Sequence, residues 1–168
     1  MFWRMTKAVL ILPGTALIYV PLFIQWLGDG WPFNRLQSGA LAWVIAAILA
    51  APAFALAIKT MTQFLHEGEG TPAPWDPPKK FVVSGPYRHM RNPMLTSVIL
   101  IIIAEAVALG SLALLGWGVG FFILNTIYFA FVEEPGLARR FGKEYLDYKA
   151  SVPRWIPKVQ PYVPPHSG

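Results

Sequence analysis

The chain has no cysteine and few charged residues. The absence of cysteine among its 168 residues excludes a disulfide scaffold, a cysteine-ligated zinc site and a cysteine nucleophile. Charged residues make up 14% of the chain, whereas an average globular domain has about 25%. A soluble domain of this size needs more polar residues to cover its surface, and a chain that is 55% hydrophobic is not disordered. The composition therefore indicates an integral membrane protein with short polar connections.

Signals for metal and nucleic-acid binding are also missing. The three histidines have no metal-ligand spacing, so we expect no metal. The net charge is +5, but the sequence lacks runs of aromatic and basic residues typical of a nucleic-acid groove, and its apolar stretches are too long for one. We therefore expect no nucleic-acid partner, and we relate the basic excess to membrane orientation.

Four apolar stretches predict an all-α, polytopic membrane protein, since about 20 apolar residues cross the hydrocarbon core. The predicted spans are about 8–27, 39–58, 94–109 and 111–132. Gly110 and Ser111 are the only break between the last two, which predicts a tight antiparallel hairpin. Proline residues inside the first two spans predict kinks.

The distribution of basic residues predicts the orientation. If the N-terminus is cytoplasmic, the outer segments hold only Arg35 among the basic residues named for this test. The inner segments hold Arg4, Lys7, Lys59, Lys79, Lys80, Arg88, Arg91, Arg139, Arg140, Lys143, Lys149, Arg154 and Lys158. This asymmetry predicts that both termini and both long polar segments, 60–93 and 133–168, are cytoplasmic.

Two charged clusters flank the predicted hairpin. The sequence GPYRHMRNPM (85–94) precedes its first helix, and Glu133-Glu134 ends its second. A hairpin brings these two ends side by side. Carboxylates at a helix C-terminus face an unfavourable dipole, so we expect cationic partners for them, with Arg91 and Arg154 as candidates. Read singly, the basic residues also fit lipid anchors, and FGKEYLDYK fits an interfacial amphipathic helix.

Polar and small residues also occur inside the hairpin. Glu105 is an acid within a span, which makes it a functional candidate, and Asn125 is a possible hydrogen-bond partner for it. Gly116 and Gly120 form a small-xxx-small pair, which we interpret as a site of close helix packing.

The two clusters together resemble a known family. GPYRHMRNPM, a hydrophobic hairpin and then EEPGLARRFGKEYLDYKASVPRWIP are similar to the isoprenylcysteine carboxyl methyltransferase and phospholipid methyltransferase superfamily, over about 68–157. The family's Arg-His-Pro element falls on Arg91-Asn92-Pro93, and its paired glutamates fall on Glu133-Glu134. Asn92 replaces the His of many members, Leu95 stands where many have Tyr, and Ser97 where many have Gly.

The resemblance implies methyl transfer from S-adenosylmethionine to a lipid-like or small hydrophobic acceptor. It implies one membrane-embedded domain, 1–168, with a cytoplasmic cofactor pocket, in contact with membrane lipids of a bacterial inner membrane. The expected catalytic residues are Arg91, which orients the acceptor, and Glu134, which serves as base if the acceptor is a phospholipid amine. A carboxylate or thiolate acceptor needs no base.

The remaining expected site residues follow from the same comparison. Cofactor contacts are expected from Gly85, Tyr87, Arg88, His89, Asn92, Pro93, Glu133, Leu137 and Arg154. Glu105 and Asn125 are the candidates for contact with the acceptor. Two alternatives stay open at this point, namely an NADPH-dependent membrane reductase related to sterol reductases and a non-enzymatic membrane scaffold.

Overall fold

A computed structural model describes residues 2–28, 38–68 and 79–164, and these residues form an all-helical structure. The helices are α1 (Phe2–Gly14), α2 (Val20–Gly28), α3 (Ala40–His66), α4 (Pro93–Leu109), α5 (Leu112–Tyr128) and α6 (Glu134–Ser151). A π-turn at Thr15–Tyr19 joins α1 to α2, a second at Phe129–Glu133 joins α5 to α6, and a 3₁₀ turn at Gly85–Arg88 precedes α4. The predicted outer residue Arg35 lies outside the described residues.

Three continuous helical stretches are long and apolar enough to cross a membrane, namely Val9–Gly28, Ala40–His66 and Leu112–Ser151. The fourth predicted span is α4, an apolar helix of 17 residues. These findings confirm an all-α, multi-pass membrane protein. The last stretch has 40 residues, about twice the number that cross the hydrocarbon core, so we assign its apolar part, 112–132, to the membrane and place α6 outside it.

Helix α4 is the centre of the bundle. It makes its most extensive contact with α3, through small side chains such as Ala46, Ala104 and Ala108. On another side it packs against α5 and the π-turn that joins α1 to α2. That π-turn is held by the Trp117 indole, whose Nε1 donates to the Ala16 carbonyl at 3.0 Å.

The hairpin between α4 and α5 is confirmed. Gly110 ends α4 in the left-handed conformation (φ 60°, ψ 32°), which glycine adopts without strain. Ser111 then caps α5, since its Oγ accepts a hydrogen bond from the Leu114 amide at 3.3 Å. The two-residue turn is therefore specified by the chemistry of both residues.

The packing glycine of the hairpin is not the predicted one. A Cβ atom added at Gly116 or Gly120 would meet nothing within 4 Å, so this pair makes no close helix contact among the described residues. A Cβ atom at Gly118 would lie 3.3 Å from Ile102. The four-residue spacing of Gly116 and Gly120 was misleading, because Gly118, which lies between them in sequence, is the glycine that faces α4.

Helix α6 folds back on itself at Gly142. In a straight helix Glu134 and Lys149 would lie about 22 Å apart, yet their side chains form an ion pair of 3.0 Å. Gly142 has φ 56° and ψ −131°, the conformation of the first central residue of a type II′ turn. This reversal brings the second half of α6 back over Glu134.

We predict that Gly142→Ala lowers the free energy of unfolding by about 1–3 kcal/mol, because a Cβ atom strains this positive-φ backbone. Gly136→Ala is the matched control, since Gly136 is helical and a Cβ atom there meets nothing within 4 Å. Denaturant unfolding of both variants in detergent micelles measures the difference. Equal stability of the two variants would show that the reversal at Gly142 is absent.

Candidate functional site

The C-terminal segment that follows α6 is hydrogen-bonded to the loop before α4. The backbone bonds are Arg91 N to Pro153 O (2.9 Å), Asn92 N to Arg154 O (3.1 Å), Lys158 N to His89 O (3.0 Å) and Tyr162 N to Arg88 O (2.8 Å). We call 85–92 the motif loop and 152–164 the tail. The two predicted sequence clusters therefore form one unit beside the start of α4.

Two of the predicted cofactor residues hold the tail with their side chains. Arg88 Nε donates to the Tyr162 carbonyl at 2.6 Å. His89 Nδ1 lies 2.8 Å from the Lys158 carbonyl, and since a carbonyl can only accept, Nδ1 is the donor of this hydrogen bond. These contacts show how both side chains order the site, while direct contact with a cofactor stays a prediction.

An aromatic core packs against the motif loop. Tyr145, Tyr148 and Tyr162 form a buried cluster against which Phe81 and Leu137 pack. Tyr148 Oη donates to the Tyr87 carbonyl at 2.6 Å. Burial raises the pKa of Tyr148 and of Tyr87, so both hydroxyls stay protonated at neutral pH. The predicted amphipathic face of FGKEYLDYK is therefore part of a protein core.

Tyr87 and Gly85 fix the entrance to the motif loop. The Tyr87 ring is 6% exposed and packs edge-on against Phe64 of α3, with 5.5 Å between ring centroids. Gly85 has φ +48°, and a Cβ atom there would lie 2.6 Å from Gln63 Nε2. Helix α3 reaches this loop because it continues to His66, well beyond the predicted end at 58.

A buried carboxylate at the start of α6 gathers three cations. Glu134 is 2% exposed, and its Oε1 accepts from Arg91 Nη1 at 2.5 Å and from Arg154 Nε at 2.8 Å. Lys149 Nζ lies 3.0 Å from Oε2. Arg91 Nε also donates to the Val152 carbonyl at 2.9 Å. We call Arg91, Glu134, Lys149 and Arg154 the ion cluster.

The ion cluster confirms part of the sequence prediction. Arg91 and Arg154 were expected to neutralise the acidic end of the hairpin, and both contact Glu134. The sequence did not predict the contact of Lys149 with Glu134, because the reversal at Gly142 that brings Lys149 to Glu134 leaves no periodic pattern in the sequence.

The surroundings of Glu134 set its protonation. Burial raises the pKa of its carboxyl, but the contacts with Arg154 and Lys149 and the charge of Arg91 outweigh burial and hold the pKa below its usual value. Glu134 is therefore ionised at neutral pH and is a weak proton acceptor. The predicted use of Glu134 as a general base fits this environment poorly, and a role in positioning the three cations fits it well.

The neighbouring carboxylate is less constrained. Glu133 closes the π-turn after α5 and is partly exposed, with Tyr128 Oη donating to it at a long distance of 3.4 Å. Adjacent side chains of a helix project about 100° apart, so Glu133 and Glu134 face different surroundings. Glu133 is thus the carboxylate of the pair that has capacity for a ligand.

Buried donors near the ion cluster lack partners. Among the described residues, Asn92 Nδ2 and Trp155 Nε1 are buried and form no hydrogen bond. The backbone N–H of Asn92 donates to the carbonyl of Arg154, the residue before Trp155. The rings of Trp155 and Phe122 pack with 5.1 Å between their centroids. Buried unpaired donors are costly, so this corner suits a ligand that carries acceptors.

S-adenosylmethionine, the cofactor expected from the sequence, has groups that match this corner. Its carboxylate, hydroxyls and adenine nitrogens are acceptors, and its amino group is a donor for which Glu133 is the expected carboxylate. Pro93 begins α4 and is buried behind the motif loop, where it needs no backbone partner. No group of three metal-ligating side chains occurs among the described residues.

The two acceptor candidates lie at different depths. Glu105 is about 18 Å along α4 from Pro93, and its Oε2 is buried without a partner among the residues described. Asn125 Nδ2 instead donates to the Phe121 carbonyl at 2.8 Å. Since Ile102 packs opposite Gly118, Asn125 lies about 15 Å nearer to the motif-loop end of the hairpin than Glu105 does. The predicted Glu105–Asn125 pair is therefore wrong.

Comparison with known proteins gives one finding on the family. A family model described as phospholipid methyltransferase matches residues 39–144, which is more than half of the chain. The matched region contains α3, the motif loop, the hairpin and Glu134, and it ends before Lys149 and the tail. A search of the curated proteins finds no significant match.

We predict that Glu134→Gln lowers the free energy of unfolding at neutral pH by about 2 kcal/mol, because three cations lose their shared counter-charge. The lowered pKa of Glu134 adds a pH signature. Its contribution to stability is complete above the unfolded-state pKa of about 4.3 and is lost as the pH falls through the lower folded-state value. Thermal unfolding in detergent from pH 3 to 8 measures both effects.

The control for this variant is Glu144→Gln, since Glu144 is an exposed carboxylate of the same helix. The account requires a larger stability loss for Glu134→Gln, together with a weaker acid dependence than in the wild-type protein. If the two variants behave alike, the ion cluster does not stabilise the protein.

Proposed function

Since the chain belongs to the phospholipid methyltransferase family, which is grouped with isoprenylcysteine carboxyl methyltransferase-type enzymes, we propose that it methylates the amine headgroup of a phospholipid in the cytoplasmic leaflet. Enzymes of this family transfer a methyl group from S-adenosylmethionine to a lipid acceptor, and the chain is a membrane methyltransferase of this kind. Family membership thereby sets aside the reductase and scaffold alternatives.

The observation that supports the proposed cofactor site is the pair of unpaired donors beside the ion cluster. Asn92 and Trp155 donate to acceptors of S-adenosylmethionine, while the free N–H groups of Arg154 bind its carboxylate. Glu133 accepts from the amino group or a ribose hydroxyl. The cofactor supplies an electrophilic methyl group and its own leaving group, so the protein mainly aligns the two reactants.

The charge of the ion cluster suits an amine acceptor. One carboxylate and three cations leave an excess of two positive charges. A protonated amine beside them is disfavoured, which lowers its pKa and favours the neutral nucleophile. Glu133 is the partly exposed carboxylate available to take the proton, and Arg91, with donors beyond those used on Glu134 and Val152, orients the headgroup.

The orientation of the site follows from the charges of the polar segments. We place the motif loop, α6 and the tail in the cytoplasm with both chain termini, as the excess of basic residues on this side favours. The membrane that fits a bacterial member of the family is the inner membrane. Since Trp117 binds the Ala16 carbonyl, we treat the first helices and the matched region as one domain.

We predict that the purified protein transfers a radiolabelled methyl group from S-adenosylmethionine to vesicles of phosphatidylethanolamine and not to vesicles of phosphatidylglycerol, which has no amine.

Asn92→Ala should weaken binding of S-adenosylhomocysteine about tenfold, the value of roughly one hydrogen bond. Its unfolding temperature without ligand should not fall, because the removed Nδ2 has no protein partner among the described residues. Scintillation counting of extracted lipid and calorimetric titration provide the measurements.

Gln160→Ala is the control, since Gln160 is an exposed polar residue of the tail. It should leave both ligand binding and transfer at wild-type levels. Labelling of neither lipid would refute the proposed acceptor, and unchanged affinity in Asn92→Ala would refute the proposed placement of the cofactor.

A further inference from the structure

Lys149 differs from the other cations of the ion cluster in its exposure. The side chain of Lys149 is 42% exposed, whereas that of Arg91 is 12% and that of Arg154 is 22% exposed. Lys149 lies in the last turn of α6, after the reversal at Gly142, and beyond the region matched by the family model. We propose that Lys149 binds the phosphate of the acceptor lipid and so sets the preference for phosphate-bearing amines; this inference rests on the proposed function.

The geometry leaves Lys149 free to bind a second anion. Glu134 Oε1 is already shared by Arg91 and Arg154, and Lys149 forms an ion pair with the other oxygen while its own side chain stays 42% exposed. An ammonium group has three N–H donors, so one contact with Glu134 leaves capacity for phosphate oxygens. Glu134 then acts as a positioning residue that holds Lys149 toward the site.

Charge balance supports the same assignment. The ion cluster has an excess of two positive charges around a carboxylate that is 2% exposed. Partly buried like charges are costly unless further anions approach. The cofactor carboxylate assigned to Arg154 offsets one charge, and a phosphodiester beside Lys149 offsets the second. This arrangement also places the headgroup amine, two carbons from its phosphate, beside the ion cluster.

The test compares two acceptors that differ only in the phosphate of the headgroup. One is phosphatidylethanolamine, and the other is a diacylglycerol with the same acyl chains and an aminoethyl ether headgroup, both presented in the same neutral detergent micelles. The quantity measured is the ratio of their kcat/KM values. We expect Lys149→Gln to lower this ratio about tenfold, through a higher KM for the phosphate-bearing acceptor.

Two further variants separate the position of the lysine from its charge. Lys143→Gln removes the same charge from an exposed position of the same helix and should leave the ratio unchanged. Lys149→Arg keeps the charge and should restore most of the preference for the phosphate-bearing acceptor. A purely structural role for the ammonium group does not predict this recovery of the ratio. The unfolding temperature of each variant with S-adenosylhomocysteine shows that the fold and cofactor site persist.

The outcomes separate the possibilities. A reduced ratio in Lys149→Gln, with wild-type affinity for S-adenosylhomocysteine, supports the phosphate contact. An unchanged ratio overturns it. Weaker cofactor affinity with an equal loss for both acceptors also overturns it, because the anion is then the cofactor carboxylate. If the wild-type protein methylates neither acceptor, the proposed function fails, and the inference fails with it.

Discussion

The buried carboxylate of Glu134 fixes the arrangement of the end of this protein that carries the motif loop, α6 and the tail. It binds Arg91 from the motif loop, Lys149 from the second half of α6 and Arg154 from the tail. The motif loop is distant in sequence from the other two segments, and the tail directly follows α6. Because a buried carboxylate is stable only with partners of this kind, the ion cluster makes the position of each segment depend on the others.

Other features of the fold follow from this constraint. Glu134 directly follows the π-turn at Phe129–Glu133 and is buried, while its neighbour Glu133 remains partly exposed. After the reversal at Gly142, the second half of α6 runs back toward Glu134. The aromatic core that contacts the motif loop packs between the two halves of α6. The tail then closes the unit by hydrogen bonds to the motif loop. A methyltransferase that serves a water-soluble cofactor and a membrane lipid requires such a junction.

Sequence reasoning predicted what depends on short-range signals and on charge. Apolar run lengths located the helices, and the Gly110-Ser111 pair located the hairpin turn. The contacts of Glu134 with Arg91 and Arg154 were predicted from an expected helix end at Glu133-Glu134. The contacts are confirmed, but the helix does not end there, since Glu134 is the first residue of α6 in a continuous helical stretch. Contacts set by three-dimensional register were missed, because Gly142 lies within a continuous helical pattern and its reversal, which delivers Lys149, has no periodic signature. The predicted Glu105–Asn125 pair failed for a similar reason, because the two residues lie at different depths in the hairpin.

The central claim is that the motif loop and the tail form one ligand-binding unit around Glu134. Hydrogen–deuterium exchange of the protein in lipid nanodiscs, with and without S-adenosylhomocysteine, tests it directly. The account predicts that ligand slows exchange at the backbone amides of both 88–92 and 152–162, since these segments are hydrogen-bonded to each other. Slower exchange in one segment alone, or in neither, would contradict it.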